Sequence, residues 1–360
     1  MGECVDTHDA CDLQKDKRIL LISYPRTASN LLLKMMSLER QPRVISNRRG
    51  GYYFWDAFMK GRATTSAWRP VEQWTDEDIE EMQSAFQQSC DNLESESQVS
   101  KLHGKIFFAK EHAQWLADPS EVSNYLFDYD GYAASPFTIR IPDSYETLRS
   151  FHPNNFTVLP DDYLETWTVT FLIRHPALAF PSFYRAMMEL EKGGFARSDE
   201  FHHLMELNAT LRWTRLLYDW CSERKEASRL ANGSRPRYPL LLDAHDITHD
   251  HRLVMKYCEL LGMDPTRVQT QWDSIDPQSS DEPEVIESIR GPEAIMLSTL
   301  RQSRQSIKDK TPHLVDISLE RKKWNREFGE EVGEKMTYWV KKAMPDYDYL
   351  RSRRLRCEDV

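Results

Sequence analysis

The sequence predicts an α/β fold: a three-layer αβα sandwich with a mainly parallel central sheet. Two observations predict it. Four short, apolar, β-prone runs recur at 19–23 (ILLIS), 105–109 (KIFFA), 168–173 (TVTFLI) and 239–242 (PLLL). Each is nearly continuous rather than alternating, as strands buried on both faces are. Segments of helical period lie between and around them, at 29–39, 75–100, 177–191, 199–231 and 250–262. Strands that alternate with helices build a parallel sheet covered on both sides.

The bulk properties agree with one large domain spanning 1–360, at 40% hydrophobic and 29% charged residues. Within it, 114–165 carries Pro119, Pro136, Pro142, Pro153 and Pro160 and little periodicity. It reads as a long insertion, either a lid near the mouth of the sheet or a packing loop. Residues 274–284 read as a loop or mobile flap, 318–350 as a C-terminal helical segment, and the basic 351–356 as a solvated end. The net charge of −10 argues against a nucleic-acid partner but leaves room for a local basic pocket. Six scattered cysteines without CxxC spacing point to idle thiols in a reducing compartment, with no zinc site and no disulfide framework. The polar N-terminus lacks the apolar core of a signal peptide, and no stretch approaches the ~18 apolar residues of a membrane span. A cytoplasmic protein with no membrane partner is the expectation.

In open α/β sheets ligands sit beyond the carboxyl ends of the strands, so the residues just after each run matter most. After 19–23 comes Tyr24-Pro25-Arg26-Thr27-Ala28-Ser29-Asn30-Leu31. Donors at a strand-to-helix turn suit a phosphate cradle, although a capped helix start with a surface arginine would read the same way. The Walker-A glycines and lysine are absent. After 105–109 comes Lys110-Glu111-His112. In extended chain Lys110 and His112 share a side, and a cation beside an imidazole suits proton transfer with an anionic leaving group. After 168–173 come Arg174 and, eight residues on, Ser182, an anion-recognition pair or a helix-cap arrangement. After 239–242 comes Asp243, which is either a magnesium-holding Walker-B residue or a helix cap.

Together these pieces resemble the sulfotransferases that use 3′-phosphoadenosine 5′-phosphosulfate (PAPS). The YPKSGTTW-like loop of that superfamily matches Tyr24 to Leu31, its K-T-H strand end matches Lys110-Glu111-His112, and its Arg-then-Ser pair matches Arg174 and Ser182. "PRTASNLLLKMM", "FLIRHPALAFPSF" and "AMPDYDYL" look most like a divergent fungal branch of it. The resemblance implies a P-loop-NTPase-like topology. It also implies PAPS as donor and PAP as product, with no metal. Arg26, Thr27, Ala28, Ser29, Asn30 and Leu31 would lie at the 5′-phosphosulfate, and Arg174 and Ser182 at the 3′-phosphate. His112 would be the general base, with Lys110 and Arg26 stabilising the charge that develops. The chain departs from the family pattern at Arg26 (usually lysine), at Leu31 and Ala244 (usually aromatic), and in lacking the C-terminal R-K-G element, for which 303–310 is the nearest substitute.

The expected reaction is sulfonyl transfer to a hydroxyl of a small, largely apolar, secondary-metabolite-like acceptor. Tyr24, Tyr52, Tyr53, Phe54, Trp55 and Phe58 would wall its pocket, under 50–60 and 114–140. The alternatives are elimination, cyclisation or other acid–base chemistry at the same site, an NTP-dependent small-molecule kinase resting on Asp243, and a non-catalytic nucleotide-binding protein.

Overall fold

Among the described residues, five parallel strands form one sheet: β1 (Arg18–Ser23), β2 (Val44–Ile45), β3 (Ile106–His112), β4 (Thr168–Ile173) and β5 (Leu240–Asp243), in the order β2-β3-β1-β4-β5. The computed structural model describes residues 17–64, 68–128, 137, 139–145, 150–232, 238–272, 291–305, 308 and 310–358. The helices are α1 (Ser29–Met35), α2 (Trp55–Ala63), α3 (Asp76–Leu102), α4 (Pro119–Phe127), α5 (Asp161–Glu165), α6 (Pro176–Lys192), α7 (Phe201–Asn208), α8 (Arg212–Asn232), α9 (Ala244–His249), α10 (His251–Leu260), α11 (Pro292–Gln302), α12 (Ile317–Phe328) and α13 (Glu330–Arg351).

Side-chain alternation splits the core into two layers. Ile19 and Leu21 of β1 pack with Ile106, Phe108, Leu172 and Leu242 under α1 and α10. Leu20 and Ile22 face the other way, with Phe107, Ala109, Val169 and Phe171, under α3, α6, α8 and α13. Both faces are therefore covered, which is why the strands read as continuous apolar runs. The result is an αβα sandwich.

β1 sits between β3 and β4, with Ser23 in register with His112 and Leu21 with Lys110. The chain goes to one side of β1 for β2 and β3, then to the other for β4 and β5. This reversal opens a crevice at the carboxyl ends of β1, β3 and β4, the place where open sheets bind ligands.

One buried ion pair anchors the opposite end of β1. Arg18 donates to Glu94 of α3, to Tyr163 Oη at 2.8 Å and to Thr166 Oγ1 at 3.0 Å, and its guanidinium lies 3.9 Å from the Trp167 ring centroid. α3 itself starts at a reciprocal cap, in which Thr75 Oγ1 accepts from Asp78 N and Asp78 accepts from Thr75 N.

Several expectations are corrected. β3 runs on to His112, because pairing with β1 continues through Ser23. The helix expected over 199–231 is broken between α7 and α8, where Thr210 Oγ1 accepts from Arg212 N at 3.1 Å. Within 318–350 Gly329 turns the chain at φ 88° between two antiparallel helices. The basic tail is not a solvated end. Leu355 is buried and its N–H donates to Leu241 O of edge strand β5 at 2.7 Å, while Arg354 pairs with Asp246. β2, only two residues long, was not expected at all.

The described parts of 114–165 pack inward. Leu116, Ala117, Phe156, Val158 and Leu159 are buried, and Ala117 bridges Thr157. Residues 129–136, 138 and 146–149 of that segment, and the flap expected at 274–284, lie outside the described residues. No helix among the described residues is long and apolar enough to cross a membrane.

Candidate active site

The loop after β1 makes its turn without glycine. Arg26 and Ala28 both take left-handed backbone conformations, at φ 67° and 65°, which cost a non-glycine residue about 1–2 kcal/mol each. Thr27 is buried and its hydroxyl donates to Tyr24 O at 2.9 Å, tying the turn together. Ala28 stands at the N-cap of α1 and places no side chain on the first-turn N–H groups.

The strained turn directs Arg26 across the crevice. Its Nε donates to Ser182 Oγ at 3.0 Å and its Nη1 to Met296 O of α11 at 2.6 Å. Arg174, at the end of β4, donates Nη1 to Arg26 O at 2.9 Å. The Tyr24 hydroxyl holds the Arg174 backbone, accepting from its N–H at 3.1 Å and donating to its carbonyl. Burial, and then the neighbouring Arg174 cation, lower the Arg26 pKa. A guanidinium held beside a second cation in this way is a site an anion would relieve. Arg174 and Ser182, expected as a pair, are thus joined by Arg26, expected apart from them, and Arg26 reaches toward Ser182 rather than toward the β3 end.

At the end of β3, Lys110 and His112 share a face, as period 2 requires. Lys110 Nζ donates to Asn30 Oδ1 at 2.5 Å and lies 4.0 Å from the Tyr52 ring centroid. Burial brings its ammonium down to about 7, with the Glu111 and Glu293 carboxylates acting the other way. Burial and the Lys110 cation hold His112 well below its ordinary range. His112 Nδ1 lies 3.0 Å from Ser23 Oγ, and the Ser23 hydroxyl in turn donates to Glu111 O at 3.4 Å. With its hydrogen used there, Ser23 Oγ accepts from Nδ1–H. That leaves Nε2 as the acceptor nitrogen, with the Tyr52 hydroxyl 3.4 Å away.

Glu111 points to the opposite face. Its Oε1 accepts from Tyr53 N at 2.5 Å and Phe54 N at 3.4 Å, and its Oε2 is buried without a partner. Burial pushes this carboxyl up to about 8, against the two backbone donors. It clamps the 50–54 loop to β3. Gly51, at φ 144°, lets that loop lie directly on Lys110, whose backbone a Cβ there would overlap. Tyr52 N donates to Lys110 O at 2.7 Å.

Arg26, Ala28, Ser29, Asn30, Leu31, Tyr52, His112 and Arg174 line one cleft of ≈ 190 Å³, closed from above by Met296, Leu297 and Leu300 of α11 and edged by Ser303 and Gln305. A groove of ≈ 610 Å³ runs on past Asn30, Leu297 and Leu300, between residues 44–50 and Trp272. Leu31 lines the cleft, while Ala244 is fully buried and Thr248 lines the cleft instead. Of the 303–310 stretch, residues 306, 307 and 309 lie outside the described residues.

The expected aromatic wall divides. Tyr53 is core, its hydroxyl donating to Glu96 Oε2 at 2.5 Å, and Phe54 is fully buried against Phe86; neither lines the cleft. Trp55 and Phe58 pack on Trp115, at 4.9 and 5.6 Å between centroids, and Trp115 packs edge-on against His112 at 4.4 Å. Ser23 and Trp115 were not singled out from the sequence; the register of Ser23 opposite His112 is the signal that finds the first. Asp243 is a cap, accepting from His245 N at 2.8 Å and Tyr347 Oη at 2.7 Å, with burial pushing it up to about 6.

No protein-family model matches the chain, and no solved structure gives a significant match. Two curated proteins do match: the sulfotransferase ppzF of Metarhizium rileyi (strain RCEF 4871) and that of Metarhizium majus (strain ARSEF 297). Each is 35% identical over 348 residues, covering 96% of this chain and 98% of the relative. Identity at that level over nearly the whole of both chains shows that this chain belongs to the sulfotransferase family of these proteins.

Proposed function

We propose that the protein transfers a sulfonyl group from PAPS to a hydroxyl of a small, largely apolar acceptor. The observation that carries this is the juxtaposition, at one cleft, of Arg26 and Arg174, with Ser182 bonded to Arg26, and a histidine whose Nε2 meets the Tyr52 hydroxyl at the same cleft. PAPS, when bound, supplies an activated sulfonyl group on a phosphate leaving group. Its 3′-phosphate fits the Arg26, Arg174 and Ser182 cluster, and its 5′ end fits the Ala28–Leu31 turn beside Asn30 and Lys110.

The chain's own residues then divide the work. His112 ends with the proton that the acceptor hydroxyl gives up, as that oxygen attacks sulfur and the bond from sulfur to the leaving phosphate breaks. Lys110 donates to the oxygens on which charge grows. An approaching anion also favours its protonated form, against the burial that lowers it. Ser23 holds the imidazole tautomer. Trp115 and Tyr52 keep water off both groups, and the groove beside residues 44–50 gives the acceptor its approach.

Leu31 and Ala244 in place of adenine-stacking aromatics favour a second reading, in which the sulfate is installed and then lost in an elimination or cyclisation. The kinase alternative rested on Asp243, and its carboxylate is engaged by the helix cap and Tyr347.

Incubation with PAPS and a panel of small alcohols and phenols, followed by product mass analysis, tests the proposal. An intact sulfate ester supports transfer, and a desulfated, dehydrated product supports the second reading. Loss of turnover with nucleotide binding retained in His112→Ala identifies the base. Near-wild-type turnover of that variant rules His112 out.

A further inference from the structure

Tyr52 and His112 line the cleft side by side. Its hydroxyl is 3.4 Å from His112 Nε2, its ring is 5.0 Å from that imidazole and 5.0 Å from Trp115, and the Lys110 ammonium stands 4.0 Å from its ring centroid. His112 is only 5% exposed, whereas Tyr52 is half-buried and lines the cleft. The Tyr52 hydroxyl thus stands at Nε2, the ring nitrogen of His112 on the Tyr52 side, and is the more exposed partner of the two.

Tyr52 cannot simply step aside. It adopts a left-handed backbone at φ 66°, follows Gly50 at φ 72° and Gly51 at φ 144°, and donates its N–H to Lys110 O at 2.7 Å. The next two N–H groups are held by Glu111 from the far face of β3. A bulky residue held at positive φ is a strained conformation that persists only where its surroundings impose it, and such strain concentrates at functional sites.

We infer that Tyr52 and His112 form one proton-accepting unit whose cleft-facing end is the Tyr52 hydroxyl. The inference rests on the sulfonyl-transfer reading for its substrate, but the pairing itself does not. The acceptor oxygen bonds to sulfur and the donor's sulfur–oxygen bond breaks. The acceptor's proton passes to Tyr52 Oη while the proton of Tyr52 passes to His112 Nε2. Tyr52 ends neutral and His112 ends as imidazolium. No phenolate is formed, consistent with a phenol whose burial disfavours ionisation. The groups facing His112 are Lys110 on its own strand, Ser23 on β1 and Tyr52 on its loop; Glu111 lies on the other face.

The test is Tyr52→Phe, which keeps the ring under Lys110 and removes only the hydroxyl. In the ligand-free protein labelled with 15N-histidine, the His112 Nε2 resonance is assigned by its loss in His112→Gln. It should move in Tyr52→Phe toward the position of an unbonded, unprotonated ring nitrogen. With PAPS and an acceptor, kcat should fall by about 10²-fold while the PAP dissociation constant stays unchanged. An unmoved resonance, or a wild-type kcat in Tyr52→Phe, overturns the relay. A moved resonance in a protein that shows no PAPS-dependent turnover upholds the Tyr52–His112 unit and overturns the sulfonyl-transfer reading instead.

Discussion

Ser23 Oγ lies 3.0 Å from His112 Nδ1, across the register pair that joins the ends of β1 and β3. A Ser23 hydroxyl that donates to Glu111 O accepts from Nδ1–H, which favours the tautomer with an unprotonated Nε2. Ser23→Ala should leave the fold and PAP affinity intact but let the ring rotate or carry its proton on the wrong nitrogen. A fall in kcat of about tenfold or more is expected, with KM for PAPS unchanged. Steady-state kinetics at saturating donor checks it.

The anion cluster predicts a graded loss. Arg26→Ala removes the donor to Ser182 Oγ and leaves a strained backbone position, and should weaken PAP binding by about 10- to 100-fold, the range for one charge-assisted hydrogen bond. Ser182→Ala should cost less. Arg26→Lys keeps the charge but loses the planar fork that spans Ser182 and Met296, so calorimetry should place it between the two.

Glu111 gives the protein a specific pH signature. Its carboxyl is raised to about 8 in the fold, against 4.5 for an ordinary glutamate. Between these values the folded chain holds a proton the unfolded chain has released, so stability falls as pH rises from about 5 to about 8. The slope approaches about 1.4 kcal/mol per pH unit. Lys110, lowered from 10.5 to about 7, acts in the opposite sense but only above pH 7. Glu111→Gln keeps an oxygen for Tyr53 N–H and removes the ionisation. The Tm of the wild type relative to this variant should therefore decline steadily between pH 5 and 7.

The Arg18–Glu94 pair predicts a purely structural effect. Both side chains are buried, and Tyr163 bonds to each of them. Removing one partner leaves an uncompensated charge, so Glu94→Ala should destabilise the protein by about 3–5 kcal/mol. Urea denaturation measures this. PAP affinity under native conditions should not change, because the pair lies at the far end of β1 from the cleft.

The fold was legible because β1, β3, β4 and β5 are covered on both faces and so announce themselves as unbroken apolar runs. β2 was not, since two residues carry no periodicity. The positions of Arg26, Lys110, His112 and Arg174 at the strand ends are set by topology alone. What each side chain touches is not. The left-handed turn at Arg26 sends its guanidinium to Ser182, and nothing in a non-glycine loop signals that conformation. Tyr52, Tyr53 and Phe54 are three consecutive aromatics, and only the clamp from Glu111 decides that the first faces the cleft and the other two the core. The tail 351–356 looks solvated by charge count, yet its one leucine supplies both a backbone bond to β5 and a buried side chain.

Calorimetric titration with PAP, and with the same nucleotide lacking its 3′-phosphate, tests most directly whether Arg26, Arg174 and Ser182 read the 3′-phosphate of a sulfonucleotide. PAP is expected to bind at least about 100-fold more tightly, as two charge-assisted contacts would require, and Arg174→Ala should shrink the difference by about tenfold or more. Equal affinity for the two nucleotides would contradict that assignment.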